Sequence, residues 1–508
     1  MGKHGESIMG KDVNPTDRDD PTGRTRRVTV ADERRTTSYK VPGAVRDLTR
    51  DYDLATLGYE ESEHFVEGMA TSYEPAGERG SDGRWATTPG AEARYRTRIV
   101  VRRPADPGRF SGTVVVEWHN VSSGMDAAPG WMFVHRHLAA HGHAWVGVSA
   151  QKVGIDGGGF AEGLHLKILD PDRYASLEHP GDAWSFDIFT QAGALLRRPG
   201  AQGPLGGLEP TQLLAFGESQ SAACLVTYIN AVDAHARLYD GFLVQGRPGA
   251  GVAIDGVFVP ASRAQGFEAT RQVIAGTGER IREDGRVPVL VLQSETDVIL
   301  LGGGRAAQPD TERIRVWELA GSAHADSYTI RGGRRDDGTL SPAHLAKLVR
   351  PTTSLVMGHT ELPINAGMHR HYVSQAALAH LARWAGGGEP PPSAPRLELD
   401  DAATGFRLDE RGLARGGIRT PWVDVPTAVL SGLGQGGEWF FAMLFGCTEP
   451  FDGAALDALY PGGKAEYLER FAASLDRTVA GGFILAEDRD EILEVVAAST
   501  YPLEISEK

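Results

Sequence analysis

The sequence predicts an α/β protein with a mostly parallel central sheet that is flanked by helices. Two observations lead to this prediction. Short runs rich in β-branched and apolar residues recur along the chain, and segments with helical spacing separate them. Because parallel strands need a long crossover connection, usually a helix, the alternation indicates a sheet covered on both faces. An N-terminal β-extension, a lid insertion and a C-terminal appendage complete the predicted architecture.

The chain divides into three predicted parts. Residues 1–25, with Asp, Gly, Pro and Arg but no periodic apolar face, are predicted to be a disordered tail. Residues 26–386 form the main domain, with β-type runs such as Tyr95–Val101 in its extension and a lid at about 325–370. The run GGGEPPPSAP indicates a surface crossing, and residues 387–508 are expected to pack on the main domain as the appendage.

The elements of the main domain follow one another in a regular order. The predicted strands are Thr113–Trp118, Ala144–Ser149, Leu213–Phe216, Tyr239–Val244, Val287–Leu292 and Ile314–Leu319. The predicted helices are Trp131–Ala140, Ala183–Arg198 and Ala222–Val232, followed in the appendage by a hairpin around Phe406–Ile418 and helices at Lys464–Ala480 and Arg489–Ala498. The run TVVVEW is typical of a strand buried on both faces. Gly142 is expected to end the first helix, and Pro199 the second.

Composition and charge exclude several classes of protein. The chain has 41% hydrophobic and 23% charged residues and a formal net charge of −15, as expected for a globular protein without a basic stripe for nucleic acid. No apolar run approaches the roughly 18 residues of a membrane span, and the polar N-terminus has no signal-peptide core. We therefore expect a cytoplasmic protein with no nucleic-acid or membrane partner. Two cysteines exclude a disulfide scaffold.

The stretch Leu213–Phe216 runs into Gly217-Glu-Ser219-Gln-Ser221 and then into a helical segment. This pattern is typical of a nucleophile elbow, in which the residues two before and two after the serine must be small. The turn strains the backbone at Ser219 and lifts its hydroxyl above the sheet, while the N–H of Gln220 at the helix start becomes a candidate oxyanion donor. Ser221 stands where the motif has a second glycine, and the bare pattern also fits an ordinary strand–turn–helix junction.

Candidate partners for this serine follow two later strands. A serine hydroxyl needs a general base, and the base needs an orienting carboxylate, in the chain order serine, acid, histidine. Glu295 and Asp297 follow the strand Val287–Leu292, and His324 follows the strand Ile314–Leu319. All lie at the carboxyl ends of strands, where open α/β sheets place their sites. We predict His324 as the base and favour Asp297 as the acid, with Glu295 as the alternative.

Other polar residues are weaker candidates for the site. The backbone near Asn120 or Val121, in the loop after an earlier strand, is the expected second oxyanion donor. His119 in the same loop either borders the substrate or packs beneath the loop with the preceding tryptophan. His369 either lines a substrate pocket or belongs to an exposed polar loop.

A cluster of four histidines raises the question of a metal site. His135, His137, His141 and His143 crowd one short stretch, and two of them, four residues apart, are able to share a helix face. No carboxylate at HExxH spacing accompanies them, and histidines are favourable near a helix C-terminus. No metal is therefore predicted. No glycine-rich stretch has the context of a phosphate-binding loop, so no cofactor is predicted either.

The chain resembles the "alpha/beta hydrolase domain" family of bacterial genomes. The matching stretches are VVVEWHNVSSG, HPGDAWSFDIFTQAG, FGESQSA, VLVLQSETDV, ELAGSAHAD and GGIRTPWVDVP, so the resemblance runs from about residue 40 nearly to the C-terminus. It implies an α/β-hydrolase fold, with Ser219 and His324 in the site and the acid in the SETDV segment. It also implies that the C-terminal appendage belongs to the family's own architecture. It does not supply a substrate, because members are named by their fold.

These features predict a serine hydrolase that cleaves a small-molecule carboxylic ester or lactone through an acyl-enzyme intermediate. Ser219 is the nucleophile, His324 the base and Asp297 the acid, and the lid sets specificity. One alternative is an acyltransferase or lyase that uses the same triad in a biosynthetic pathway. A second is a non-catalytic interaction protein on a hydrolase scaffold, because a fold does not guarantee a function. The sequence leaves the oligomeric state open.

Overall fold

A nine-stranded mixed sheet forms the centre of the computed structural model. The structure describes residues 36–46, 49–158, 163–198, 200, 203–255, 278–356, 358–437 and 439–506, and the backbone of residues 18–19 and 25–26. The strands of the sheet are β1 (Thr37–Val41), β2 (Tyr59–Pro75), β3 (Thr87–Pro104), β4 (Thr113–Trp118), β5 (Ala144–Val148), β6 (Gln212–Glu218), β7 (Gly241–Gln245), β8 (Val289–Ser294) and β9 (Ile314–Leu319). Their order across the sheet is β9-β8-β7-β6-β4-β5-β3-β2-β1.

The six strands β9, β8, β7, β6, β4 and β5 run parallel to one another. Beyond β5 the sheet continues with antiparallel β3, β2 and β1, and the long β2–β3 hairpin forms most of this N-terminal extension. The predicted fold class, a mostly parallel sheet flanked by helices with an N-terminal β-extension, is therefore confirmed. Strand β8 ends two residues later than predicted, so Glu295 and Asp297 begin a helix instead of lying in a loop.

Helices follow most of the strands. They are α1 (Pro129–His141), α2 (Lys152–Asp156), α3 (Leu166–Leu169), α4 (Pro171–Tyr174), α5 (Ser185–Leu196), α6 (Gln220–Thr227), α7 (Asp233–Ala236), α8 (Glu295–Ile299), α9 (Pro342–Leu348), α10 (His369–Ala385), α11 (Pro421–Asp424), α12 (Gly453–Leu459), α13 (Gly463–Ala480) and α14 (Arg489–Ala498). Single 3₁₀ turns lie at Leu54–Leu57, Pro107–Arg109, Asp182–Trp184, Gly303–Ala306, Phe440–Phe445 and Ala486–Asp488, and π turns at Tyr228–Val232 and Tyr328–Gly332. Within the described ranges, no helix combines the length and the apolarity needed to cross a membrane.

Side chains that alternate along the central strands build two separate apolar cores. On β4, Val114 and Val116 belong to one core and Val115 to the other, because successive side chains of a strand point to opposite faces. Helices α5 and α6 contribute to the first core, and α1 and α10 contribute to the second. Because both faces are covered, the central strands are mostly apolar, which explains their hydrophobic runs.

The C-terminal segment packs on the face of the sheet that carries α1 and α10. Phe471 of α13 and Ile492 of α14 are fully buried and share the second core with Trp131 and Tyr372. Between α11 and α12, the strands Ala428–Ser431 and Cys447–Pro450 form a short antiparallel pair. The predicted hairpin near residues 406–418 forms isolated bridges in place of regular strands, because its turns interrupt the pairing.

Parts of the predicted organisation remain predictions. Nearly all of the proposed disordered tail at 1–25 lies outside the described residues, and the structure gives only an antiparallel pairing of Arg18–Asp19 with Thr25–Arg26. The proposed lid at about 325–370 contains α9, which packs against α14, and a two-residue antiparallel pair, Ser354–Leu355 with Gly358–His359. The function of this segment as a lid stays a prediction. The two cysteines are buried and free.

A substitution at Gly142 tests the predicted end of helix α1. Gly142 is left-handed, with φ of 66°, and a Cβ atom there would lie 1.9 Å from the carbonyl oxygen of Arg109. We expect Gly142→Ala to lower the free energy of unfolding by about 1–3 kcal/mol, measured by denaturant titration. Gly453→Ala is the matched control, because nothing lies within 4 Å of a Cβ atom at that helix start. Equal stability of the two variants would contradict the prediction.

Candidate active site

The turn between β6 and α6 holds Ser219 in a strained conformation. Ser219 has φ of 61° and ψ of −120°, a combination that is costly for any residue with a Cβ atom. Its backbone N–H donates to the carbonyl oxygen of Gln245, at the end of β7, over 3.0 Å. The surrounding sheet therefore holds the turn in place, and the half-buried side chain of Ser219 projects beyond the carboxyl end of β6.

The structure explains why Gly217 and Ser221, two residues before and after Ser219, are small. A Cβ atom on Gly217 would lie 2.6 Å from the carbonyl oxygen of Ser221, so only glycine fits without moving the backbone. The hydroxyl of Ser221 accepts a hydrogen bond from the N–H of Glu218 and donates one to the carbonyl oxygen of Glu218, each over 2.9 Å. The serine that replaces the expected glycine thus adds a hydrogen-bonded bridge across the turn.

The structure brings Ser219, His324 and Asp297 into one hydrogen-bonded chain. The Nε2 atom of His324 lies 2.9 Å from the Oγ atom of Ser219, and its Nδ1 atom lies 2.5 Å from Oδ1 of Asp297. The other oxygen of Asp297 accepts the N–H of Ser294 at 2.6 Å, in a capping box at the start of α8. The cap fixes the orientation of the carboxylate, and the carboxylate in turn orients the imidazole.

Glu295, the alternative acid, points elsewhere. Its two carboxylate oxygens accept the N–H groups of Gly321, at 2.6 Å, and Gly432, at 2.8 Å. Burial raises the pKa of Glu295 to about 7, although these N–H groups oppose the shift. Glu295 therefore joins the turn before His324 to the C-terminal segment, and the structure pairs the imidazole with Asp297.

A second carboxylate, which the sequence reasoning missed, faces the other side of the imidazole. Oε1 of Glu218 lies 3.6 Å from Nε2 of His324 and 3.2 Å from Nη2 of Arg370. Arg370 is itself buried and donates from Nη1 to the carbonyl oxygen of Ala323. The only signal in the sequence was a charged residue at the end of an otherwise apolar strand. No local sequence pattern indicated that Arg370, which lies 152 positions after Glu218, would contact it.

These charges shift the pKa values of the site in a consistent way. Burial alone would lower the pKa of His324, but the charges of Glu218 and Asp297 outweigh it and raise that pKa above its usual value. Burial also raises the pKa of Glu218, against the opposing charges of His324 and Arg370. Burial opposes ionisation of Asp297, yet His324 holds the pKa of that carboxyl below its usual value. The surroundings therefore favour a positively charged imidazole.

The expected oxyanion donors are only partly available. The N–H of Gln220 starts α6 and has no acceptor within the helix, as the first residues of a helix require. The N–H of Asn120 donates to the carbonyl oxygen of Ala127 at 2.9 Å, so that part of the prediction is wrong. The N–H of Val121 donates to Oε1 of the Gln220 side chain at 3.2 Å. A ligand oxygen is able to take the place of this acceptor if the side chain moves. The side chain of Asn120 instead supports the turn by donating to the carbonyl oxygen of Glu218.

Two predicted site histidines lie elsewhere. His119 is buried 3.6 Å from the Asp126 carboxylate, which also binds Arg98, so it packs beneath the loop. His369 is fully buried, and its Nδ1 atom lies 2.9 Å from the hydroxyl of Thr420. Burial lowers the pKa of His369 to about 3. Neither imidazole is brought to Ser219 by its described contacts, because both belong to the packing around the site.

Thr296 is a further contributor that sequence reasoning did not identify. Its hydroxyl accepts the backbone N–H of His324 at 3.2 Å and donates to the carbonyl oxygen of Gly432 at 2.7 Å. It lies between Glu295 and Asp297 in the first turn of α8, so three consecutive residues of this turn hold the histidine loop. Only the acid among them has a recognisable motif.

The sequence profile of the "alpha/beta hydrolase domain" family matches residues 21–494. The chain belongs to the alpha/beta hydrolase domain family. This assignment agrees with the parallel sheet, the strained serine turn and the position of His324 after the last strand. In this alpha/beta hydrolase the C-terminal segment lies almost entirely within the matched range. No curated protein sequence matches the chain.

Several solved structures are similar to part of this alpha/beta hydrolase. Brefeldin A esterase, described as a bacterial homologue of human hormone sensitive lipase, is 13% identical over 58% of this chain and 76% of its own, with a TM-score of 0.28. An esterase from the fungus Rhizomucor miehei is 12% identical over 52% and 77%, with a TM-score of 0.28. Acetyl xylan esterase 1 from Thermoanaerobacterium is 10% identical over 56% and 81%, with a TM-score of 0.28. Likenesses this distant carry no argument about substrate.

Substitution of each carboxylate separates the roles of Asp297 and Glu295. We expect Asp297→Asn to slow labelling of Ser219 by a fluorophosphonate probe by about 10³-fold, because the amide no longer holds the imidazole in the required tautomer. Glu295→Gln is the matched control and should label at nearly the normal rate per folded molecule, but with a lower thermal midpoint. Labelling that depends on Glu295 and not on Asp297 would reverse the assignment.

Proposed function

We propose that this protein is a serine hydrolase that cleaves a small-molecule carboxylic ester or lactone through an acyl-enzyme intermediate. The observation that supports the proposal is the chain of hydrogen bonds from the Ser219 hydroxyl through His324 to Asp297, with separations of 2.9 and 2.5 Å. A base in contact with a serine hydroxyl, and itself oriented by a buried carboxylate, is the arrangement that activates a weak nucleophile.

Acylation starts with attack of the Ser219 oxygen on the acyl carbon of the substrate. His324 accepts the hydroxyl proton at Nε2, and Asp297 holds the Nδ1–H and balances the positive charge that forms. The negative oxygen of the tetrahedral intermediate accepts the N–H of Gln220. It also accepts the N–H of Val121 once the side chain of Gln220 swings away. The imidazolium then protonates the departing alcohol.

Deacylation repeats these steps with water as the nucleophile. His324 removes a proton from the water, the hydroxide attacks the acyl carbon, and the proton returns to the Ser219 oxygen as the acid leaves. This chemistry needs no cofactor. The segment 325–370 is proposed to act as the lid that sets specificity, because it continues directly from the histidine loop.

Replacement of the nucleophile tests the proposed function. We expect Ser219→Ala to reduce hydrolysis of p-nitrophenyl acetate by at least about 10³-fold, because no acyl-enzyme is able to form. Ser221→Gly, which restores the usual small residue of the turn, should retain most of the activity. Full activity of Ser219→Ala would end the proposal. Partition of the acyl group between water and an added alcohol would reveal acyl transfer.

The charge of Glu218 gives a prediction for pH dependence. His324 must be neutral to act as a base, so kcat/KM rises with pH through its pKa, which the nearby carboxylates raise. Glu218→Gln removes a negative charge 3.6 Å from Nε2. We expect the acid limb of kcat/KM to move to lower pH by roughly one unit. Glu318→Gln, at a buried carboxylate that accepts the N–H of Leu397, should leave the limb in place. A shift to higher pH would contradict the role of Glu218.

A further inference from the structure

The end of helix α1 faces an acidic turn of the C-terminal segment, far from Ser219 in the sequence. His137 and His141 lie four residues apart on this helix, and Glu487 lies in the 3₁₀ turn Ala486–Asp488. Oε1 of Glu487 is 3.4 Å from Nδ1 of His137 and 2.8 Å from Nε2 of His141. The fold thus supplies the carboxylate that the local sequence around the histidines lacked.

The separations between these atoms match those of a metal coordination shell. A zinc ion binds imidazole nitrogen and carboxylate oxygen at about 2.0–2.2 Å, which places neighbouring tetrahedral ligands about 3.3 Å apart. The three ligand atoms here all lie within 4.8 Å of one another, and the rings of His137 and His141 are 4.3 Å apart. Three ligand atoms grouped this closely are able to share a single ion.

The surroundings allow an ion to enter. The side chain of His137 is 4% exposed, whereas those of His141 and Glu487 are 42% and 47% exposed. The cluster is therefore buried on the side of His137 and open to solvent on the side of His141 and Glu487. His143 adds a third imidazole, whose ring centre is 5.6 Å from that of His137. Its Nδ1 atom is 2.6 Å from the hydroxyl of Ser111, which orients the ring.

We propose that His137, His141 and Glu487 form a binding site for a divalent transition metal of the zinc class. Two imidazoles and one carboxylate favour such an ion over Mg²⁺ or Ca²⁺, which prefer oxygen ligands. Water occupies the fourth position of the coordination shell. The ion links helix α1 of the sheet domain to the C-terminal segment. The proposal does not depend on the proposed ester hydrolysis, because none of the three side chains belongs to the Ser219 site.

Metal binding to the full-length, chelator-treated protein tests the site directly. We expect one Zn²⁺ per chain by isothermal titration calorimetry, and a tetrahedral absorption spectrum when Co²⁺ is added instead. His141→Ala and Glu487→Gln should each weaken Zn²⁺ binding at least about 10-fold and abolish the increase in thermal midpoint that Zn²⁺ produces. The control His380→Gln removes a different contact with this segment, between His380 and the carbonyl oxygen of Gly482, and should bind Zn²⁺ normally.

Glu487→Gln also distinguishes a metal site from a purely hydrogen-bonded cluster. The amide oxygen of glutamine still accepts hydrogen bonds from both imidazoles but is a poor zinc ligand. Loss of Zn²⁺ binding with an unchanged thermal midpoint of the metal-free protein supports the proposal. Absence of Zn²⁺ binding to the unmodified protein overturns it, and so does binding that the His141→Ala and Glu487→Gln variants leave unchanged.

Discussion

The strained backbone of Ser219 is the constraint on which the rest of the site depends. A positive φ at a residue with a Cβ atom persists only when the surroundings offset its cost. Here the N–H of Ser219 is held by the carbonyl oxygen of Gln245, the Ser221 hydroxyl bridges the backbone of Glu218, and Gly217 leaves room for the following helix. The strained turn is thus anchored on β6 and β7, two central parallel strands that are buried at every position. The hydroxyl of Ser219 and the N–H of Gln220 take their positions from that turn.

Electrostatic balance around His324 follows from the same geometry. The imidazole lies between two carboxylates, Asp297 at Nδ1 and Glu218 near Nε2, and Arg370 partly neutralises the second. Glu218 and Arg370 are buried as an ion pair with 3.2 Å between their charged atoms, and Asp297 gains an opposite charge at Nδ1 when His324 is protonated. Such an arrangement matters most when the imidazole becomes positively charged during a reaction. It also gives a physical reason for an acidic residue directly before Ser219.

The sequence predicted the parts of this molecule that depend on local patterns. Strand periodicity located the central sheet, Gly142 ended its helix as expected, and the GxSx-small turn located Ser219. Asp297 could be favoured over Glu295, but only the capping box at the start of α8 explains why it is the one that points at His324. The position of Arg370 and the acceptor of the Val121 N–H are set by side-chain packing between segments far apart in the chain. Of the two alternatives for His119, the structure shows packing beneath the loop. His369 is buried instead of lying in an exposed loop, and polarity alone does not reveal that a side chain is buried.

The C-terminal segment reaches the loop that carries His324 through Gly432. Its N–H binds Glu295, its carbonyl oxygen binds Thr296, and both of these residues hold the loop that carries His324. During synthesis on the ribosome, the serine turn and the histidine loop therefore emerge well before the residues that brace that loop. A nascent chain would carry Ser219 before the loop of His324 is braced, so the contact between these two side chains would form as one of the last events of folding.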